Sequence, residues 1–219
     1  MAKKQVDDSI EVASLGRLED IEQFIIDAGS DSLAVFGGTY EGGVHVQQIP
    51  DEFAAMVFDL ILSGRAITDY LEIGAAAGGT TYIINHYFRP RRIVVIDDNL
   101  HCKANLRQGI LEGVERREII GNSHDQSVID QAAGEYDLII IDGEHSYSGA
   151  MADVNNYLPF LNECGFLVLH DSVTRSWACA VPDVVADLKG DERVTFINEY
   201  ISKTHPQPCG IAVFRKAVE

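Results

Sequence analysis

From Thr68 onward this chain alternates short apolar runs with amphipathic stretches, and that alternation leaves few folds open. The runs are TDYLEIG (68–74), RIVVIDD (92–98), REIIG (117–121), YDLIIID (136–142) and GFLVLHD (165–171). Strands that are apolar on both faces need cover on both faces. The order β-α-β-α therefore predicts a parallel sheet with helices packed on each side. Two later runs, RVTFINEY (193–200) and GIAVFRK (210–216), predict an antiparallel hairpin that closes the chain. The fold expected is α/β: a doubly wound, mostly parallel, seven-stranded Rossmann-like sheet. In such sheets ligands bind beyond the carboxyl ends of the strands, where the strand order reverses. Three runs end there in acid, at Asp97/Asp98, Asp142 and Asp171.

Residues 18–28 and 51–63 have helical apolar spacing, with Pro50 at a position suited to a helix start. Between them, 36–48 is Gly-rich and aperiodic, a candidate lid. The division expected is a helical or lid extension over 1–50 and a ligand-binding domain over 51–219. A formal net charge of −17 repels polyanions, so no nucleic-acid partner is expected. The basic cluster Arg89-Pro90-Arg91-Arg92 reads as a solvated helix end. No apolar run approaches the roughly 20 residues that span a bilayer, so no membrane partner is expected. The four cysteines are scattered without a C-x-x-C pair, which suits reduced thiols in a cytoplasmic enzyme.

The first strand leads into Glu72-Ile73-Gly74-Ala75-Ala76-Ala77-Gly78-Gly79-Thr80. Small residues here allow a sharp turn against a ligand, with free helix N–H groups behind it. Ala76 stands where G-x-G-x-x-G needs its second glycine, which weakens a dinucleotide reading. Glu72-x-Gly74-x-x-x-Gly78 instead resembles the first motif of class I S-adenosylmethionine-dependent methyltransferases, in the branch containing catechol O-methyltransferase. The resemblance implies that Glu72, Gly74, Ala75, Gly78 and Thr80 form the S-adenosylmethionine loop. It also implies that Asp97 accepts the ribose hydroxyls, with Asp98 as its rival, and that Ser123 and His124 meet the adenine edge. Asp125 reads either as part of that segment or as a helix N-cap.

Residues 136–173 resemble the D-G-x-H-x-Y … H-D core of small bacterial O-methyltransferases, including macrolide-sugar O-methyltransferases and cephalosporin-hydroxylase-like proteins. The resemblance covers about residues 68–175 and implies an O-methyltransferase acting on a small hydroxylated acceptor. Asp142 would serve catalysis and the donor, and His145 would be the general base. Asp142, His170 and Asp171 would hold a divalent metal between neighbouring strand tips. His170 departs from the pattern, because related metal enzymes carry a carboxylate or carboxamide there. The ion is therefore open between Mg²⁺ and a softer transition metal, or there is none. Tyr147 reads as acceptor pocket or local packing, Asp153 as solvated helix surface, and Arg175 and Trp177 as an acceptor loop. A homodimer is the expectation from general frequency alone. Two other readings stand beside this one: an NAD-dependent oxidoreductase on the same sheet, and a catalytically silent S-adenosylmethionine binder.

Overall fold

The computed structural model describes residues 17–29, 44–100, 104–175 and 178–218, without the side chains of 104–106. Its strands are β1 (Asp69–Ile73), β2 (Arg92–Asp97), β3 (Arg117–Ile120), β4 (Tyr136–Ile141), β5 (Leu161–His170), β6 (Val194–Tyr200) and β7 (Ile211–Lys216). Its helices are α1 (Leu18–Ala28), α2 (Pro50–Leu62), α3 (Gly79–Phe88), α4 (Ala104–Ile110), α5 (Gln126–Ala132), α6 (Tyr147–Tyr157) and α7 (Val181–Leu188).

The seven strands form one sheet in the order β3-β2-β1-β4-β5-β7-β6. β1 to β5 pair in parallel, and β7 runs antiparallel between β5 and β6. The expected C-terminal pair therefore forms, but a ten-residue connection places its second strand inside the sheet. The chain moves outward one way through β2 and β3, then returns to β1 and moves the other way. The switch point between β1 and β4 is where a doubly wound sheet opens a crevice.

The near-continuous apolar runs are explained by two cores, one on each face of the sheet. Leu71, Ile73, Ile139, Ile141, Leu167 and Leu169 face one core, beneath α5, α6 and α7. Tyr70, Leu138, Ile140, Phe166 and Val168 face the other, beneath α1, α2 and α3. Successive strand side chains point to opposite faces, so each run feeds both cores in turn. The sheet's rigidity fixes where each strand tip can place a functional side chain.

Two buried charged groups tie irregular chain to this frame. Glu52 on α2, 1% exposed, accepts backbone hydrogen bonds from Ser202 (2.8 Å) and Gly210 (2.9 Å). It thereby holds the connection that leads into β7. Arg107, fully buried, donates to the Ala76 carbonyl (2.8 Å) and Asn99 Oδ1 (2.5 Å). It also pairs with Asp97 and Glu118, each at 3.3 Å. The cluster Arg89–Arg92 lies at the amino-terminal ends of β1 and β2, opposite to the strand tips that carry the crevice. There Arg91 and Arg92 both pair with Asp69, in keeping with a helix end rather than a phosphate site. Among the described residues no helix is long and apolar enough to cross a membrane.

Removing the Glu52 carboxylate leaves two N–H donors unsatisfied, each costing about 1–3 kcal/mol. Glu52→Ala should lower the unfolding free energy by about 2–6 kcal/mol. The measurement is the urea midpoint, with the slope of the transition unchanged.

Candidate active site

The loop from β1 to α3 turns on residues in the left-handed backbone region: Gly74 (φ 84), Ala76 (φ 43) and Gly78 (φ 88). At Gly74 the requirement is also steric, since a Cβ there would sit 2.0 Å from the Asp142 carbonyl oxygen. The Gly74 N–H donates to the Ile96 carbonyl (2.9 Å) and the Asp142 N–H to the Ile73 carbonyl (2.9 Å). These bonds bring the tips of β1, β2 and β4 together.

Asp97 Oδ2 accepts from the Ala76 N–H (2.8 Å), and Oδ1 accepts from the Asn99 N–H (2.7 Å). The carboxylate therefore lies against the glycine loop. Asp98 is exposed and turned to the Leu100 N–H. Ala75 and Thr80 are buried beside the turn. Glu72, 2% exposed, accepts from Tyr70 Oη (2.7 Å) and from Thr81 Oγ1. Its carboxylate thus binds β1 to α3 from beneath, and burial raises its pKa to about 7.

After β3, Ser123 and His124 stand over the carboxylate of Asp153. Asp153 was expected on a solvated helix surface, yet it is fully buried. Its Oδ1 lies 3.3 Å from His124 Nε2, within ion-pair range. Burial raises its pKa to about 6, against the pull of Ser123 and His124. Helical periodicity alone cannot tell an inward Asp from an outward one when its partner is supplied by a distant loop. Asp125 occupies the N-cap position of α5, without a side-chain cap bond. Tyr147 Oη donates to Asp187 (2.6 Å), and Arg175 pairs with Asp183 (2.9 Å), so both contact α7 or its first turn. Trp177 and residues 36–43 lie outside the described residues.

At the tips of β4 and β5, Asp142, His145, His170 and Asp171 meet. His145 Nε2 is 2.8 Å from Asp171 Oδ2 and 3.6 Å from Asp142 Oδ1. His170 Nδ1 is 3.2 Å from each of those same two oxygens. Two imidazoles and two carboxylates thus alternate around a closed ring. Asp171 holds the left-handed conformation (φ 59), unusual for a residue with a side chain. A strained residue among converging titratable groups is a pattern typical of functional sites. His170 is buried and its Nε2 has no hydrogen-bond partner among the described residues, whereas the His145 side chain is 42% exposed. Two members of the neighbourhood went unnoticed in the sequence. Gln48, just before α2, donates to Asp142 Oδ2 (3.0 Å), and Cys209 lies beside His170 and Asp171.

The ring sets its own protonation. Hydrogen bonds to Asp142 and Asp171 raise the His145 pKa to about 10 against the effect of burial. Burial would lower the His170 pKa, but attraction to Asp142 and hydrogen bonds to both carboxylates carry it well above the usual value. Burial would raise Asp142 and Asp171, but the two histidines hold both well below the ordinary carboxylate range. Cys209 is pushed up to about 11 by burial, which keeps it a thiol at neutral pH.

Residues 71–172 match a family model described as a methyltransferase domain. The uncharacterized protein R132 of Acanthamoeba polyphaga mimivirus is 27% identical over 157 residues, 66% of this chain and 71% of that protein. Among solved structures, the O-methyltransferase TomG of Streptomyces achromogenes, bound to S-adenosylmethionine, superposes with a TM-score of 0.63 at 13% identity. The match covers 96% of each chain. The N-methyltransferase NodS of Bradyrhizobium japonicum WM9, bound to S-adenosylhomocysteine, gives 0.61 at 19% identity over 91% of this chain and 97% of that one. At these identities the structural likenesses establish the fold.

The ring also predicts a pH dependence of stability in chelator-treated protein. His145 has a folded pKa above its ordinary 6.5, so its contribution is complete below pH 6.5 and is lost as pH rises towards 10. The carboxylates, with lowered pKa values, contribute above 3.8 and lose that contribution in acid. The melting temperature should therefore fall between pH 6.5 and 10, by about 2–4 °C for each kcal/mol lost. In Asp171→Asn that alkaline decline should shrink.

Proposed function

From the match of residues 71–172 to a methyltransferase-domain model, we infer that the chain is a class I S-adenosylmethionine-dependent methyltransferase, and specifically an O-methyltransferase acting on a hydroxyl of a small molecule. The observation that carries the reading is the His145–Asp171 contact at 2.8 Å, at the mouth of the crevice and next to Asp142. Gly74, Ala75, Gly78 and Thr80 shape the donor's bed, which a Cβ at Gly74 would close. Asp97 accepts from the ribose; two N–H groups and Arg107 already hold its orientation. Ser123 and His124 border the adenine, and Glu72 holds the bed in place from below. The NAD reading loses ground to the family match and to Ala76 in place of a glycine.

The methyl donor is already activated, so the protein's task is alignment and proton removal. Orientation contributes on the order of 7–11 kcal/mol in the best cases. His145 takes the acceptor proton, with Asp171 fixing the ring and stabilising the imidazolium. Asp142, His170 and Asp171 fit a divalent ion, since adjacent strand tips bring two carboxylate oxygens to 3.2 Å from one imidazole nitrogen. Such an ion makes a bound hydroxyl easier to ionise. The acceptor is a neutral or cationic small molecule rather than a nucleic acid, because the chain carries a net charge of −17. A cytoplasmic homodimer remains the working expectation for the assembled enzyme.

Three outcomes follow for kinetics with S-adenosylmethionine and a panel of hydroxylated acceptors. His145→Ala should lower kcat by about 10²–10⁴-fold while leaving the Kd for S-adenosylhomocysteine unchanged by calorimetry. A near-normal kcat in that variant would remove the base assignment. In chelator-treated enzyme kcat should rise with pH towards 10, because only neutral His145 accepts a proton. Asp171→Asn should shift that rise to lower pH.

A further inference from the structure

The glycine loop and the ring at the strand tips leave one buried acid without a task. Asp153 lies on α6 and is 0% exposed. A Cβ on Gly143, the residue after Asp142, would stand 3.2 Å from its Oδ2, so the carboxylate lies directly beneath the crevice floor. Its Oδ1 is 3.3 Å from His124 Nε2. Both Asp153 oxygens and His124 Nε2 are buried, and none of the three has an aligned hydrogen-bond partner among the described residues. A buried charge needs pairing, and here the unmet needs of two side chains face each other. The separation already suits a hydrogen bond; only the angle falls short, and ligand binding commonly improves such angles.

The loop that carries His124 keeps its course without Asp153. Tyr157, one turn further along α6, donates to the Ser123 carbonyl (2.8 Å), and Asn122 Oδ1 accepts from the His124 N–H (2.9 Å). What remains for Asp153 is the imidazole. A neutral imidazole has one N–H and one bare nitrogen, and the partner of one nitrogen decides which is which. Burial raises the Asp153 pKa to about 6, so the group is ionised above neutrality. An ionised carboxylate only accepts, and it therefore selects the tautomer with hydrogen on Nε2. Nδ1 is then bare. It lies 3.9 Å from Oε2 of Glu144, beyond a hydrogen bond, on the side where that carboxylate is 56% exposed.

We propose that Asp153 is a positioning residue for His124: it fixes the Nε2–H tautomer, so that the bare Nδ1 accepts from the exocyclic amino group of adenine and rejects a purine that carries an oxygen there. This rests on the reading that Ser123 and His124 border the adenine, and adds to it the group that sets the choice of base. The amino group of adenine offers hydrogen, whereas the carbonyl of hypoxanthine offers only lone pairs. A bare ring nitrogen therefore separates the two.

The test is calorimetric titration of the full chain with S-adenosylhomocysteine and with S-inosylhomocysteine, its deaminated analogue, well above the Asp153 pKa of about 6. The wild type should bind the adenosyl ligand about 10–100-fold more tightly. In Asp153→Asn, whose carboxamide serves either tautomer, that ratio should fall towards one, and Glu144→Gln should keep it. Equal weakening of both ligands in Asp153→Asn, with the ratio kept, is the mark of a merely structural role and would overturn the proposal. So would a wild type that binds both ligands alike. Failure of the wild type to bind either ligand would overturn the donor reading as well. Long-range ¹H–¹⁵N spectra of the wild-type complex, with His124→Gln to assign the ring, should show hydrogen on Nε2 and none on Nδ1. Hydrogen on Nδ1 would overturn the proposal, and this measurement decides the matter even if Asp153→Asn folds poorly.

Discussion

The contact on which the rest of the molecule depends is the close approach of Gly74 to the Asp142 backbone. No side chain fits there: a Cβ would stand 2.0 Å from the Asp142 carbonyl oxygen. Because β1 and β4 can come so close at the switch point, the glycine loop and the acidic tips share one crevice. A sheet that reversed its order anywhere else would separate the glycine loop from the Asp142–His145–His170–Asp171 ring, and with it the two halves of the proposed site.

Electrostatics then assigns the roles. Two carboxylates at neighbouring strand tips would repel one another, and here two imidazoles lie between them. The arrangement keeps both acids ionised and both histidines basic. A divalent cation can do the same work as the protons it displaces. In the proposed enzyme such an ion would compete with the protons of the ring and so set how readily His145 accepts one. Asp97 is governed differently: its geometry is fixed from behind by Ala76, Asn99 and Arg107 before any ligand arrives.

How much of this could be read from the sequence depended on whether the signal was local. Each parallel strand was visible, because burial on both faces leaves uninterrupted apolar runs such as Leu138–Ile141. The acidic tips followed from the strand ends, so the gathering of Asp142, His145, His170 and Asp171 was anticipated. Asp153 was misplaced because its partner, His124, arrives from another loop. Gln48, Arg107 and Cys209 gave no local signal at all. Each acts across the fold, on Asp142, on Asp97 or beside His170, and a spacing rule along one element cannot register such contacts. The insertion of β7 between β5 and β6 is likewise a tertiary outcome, since the hairpin reading fixes pairing but not position in the sheet.

A crystal structure of the protein with S-adenosylhomocysteine tests the central claim most directly. The ribose hydroxyls should lie on Asp97, the amino-acid end over Gly74 and Gly78, and the thioether sulfur facing Asp142 and His145. A well-ordered ligand bound away from the Gly74–Asp142 junction, or with its sulfur turned from the β4 and β5 tips, would contradict it.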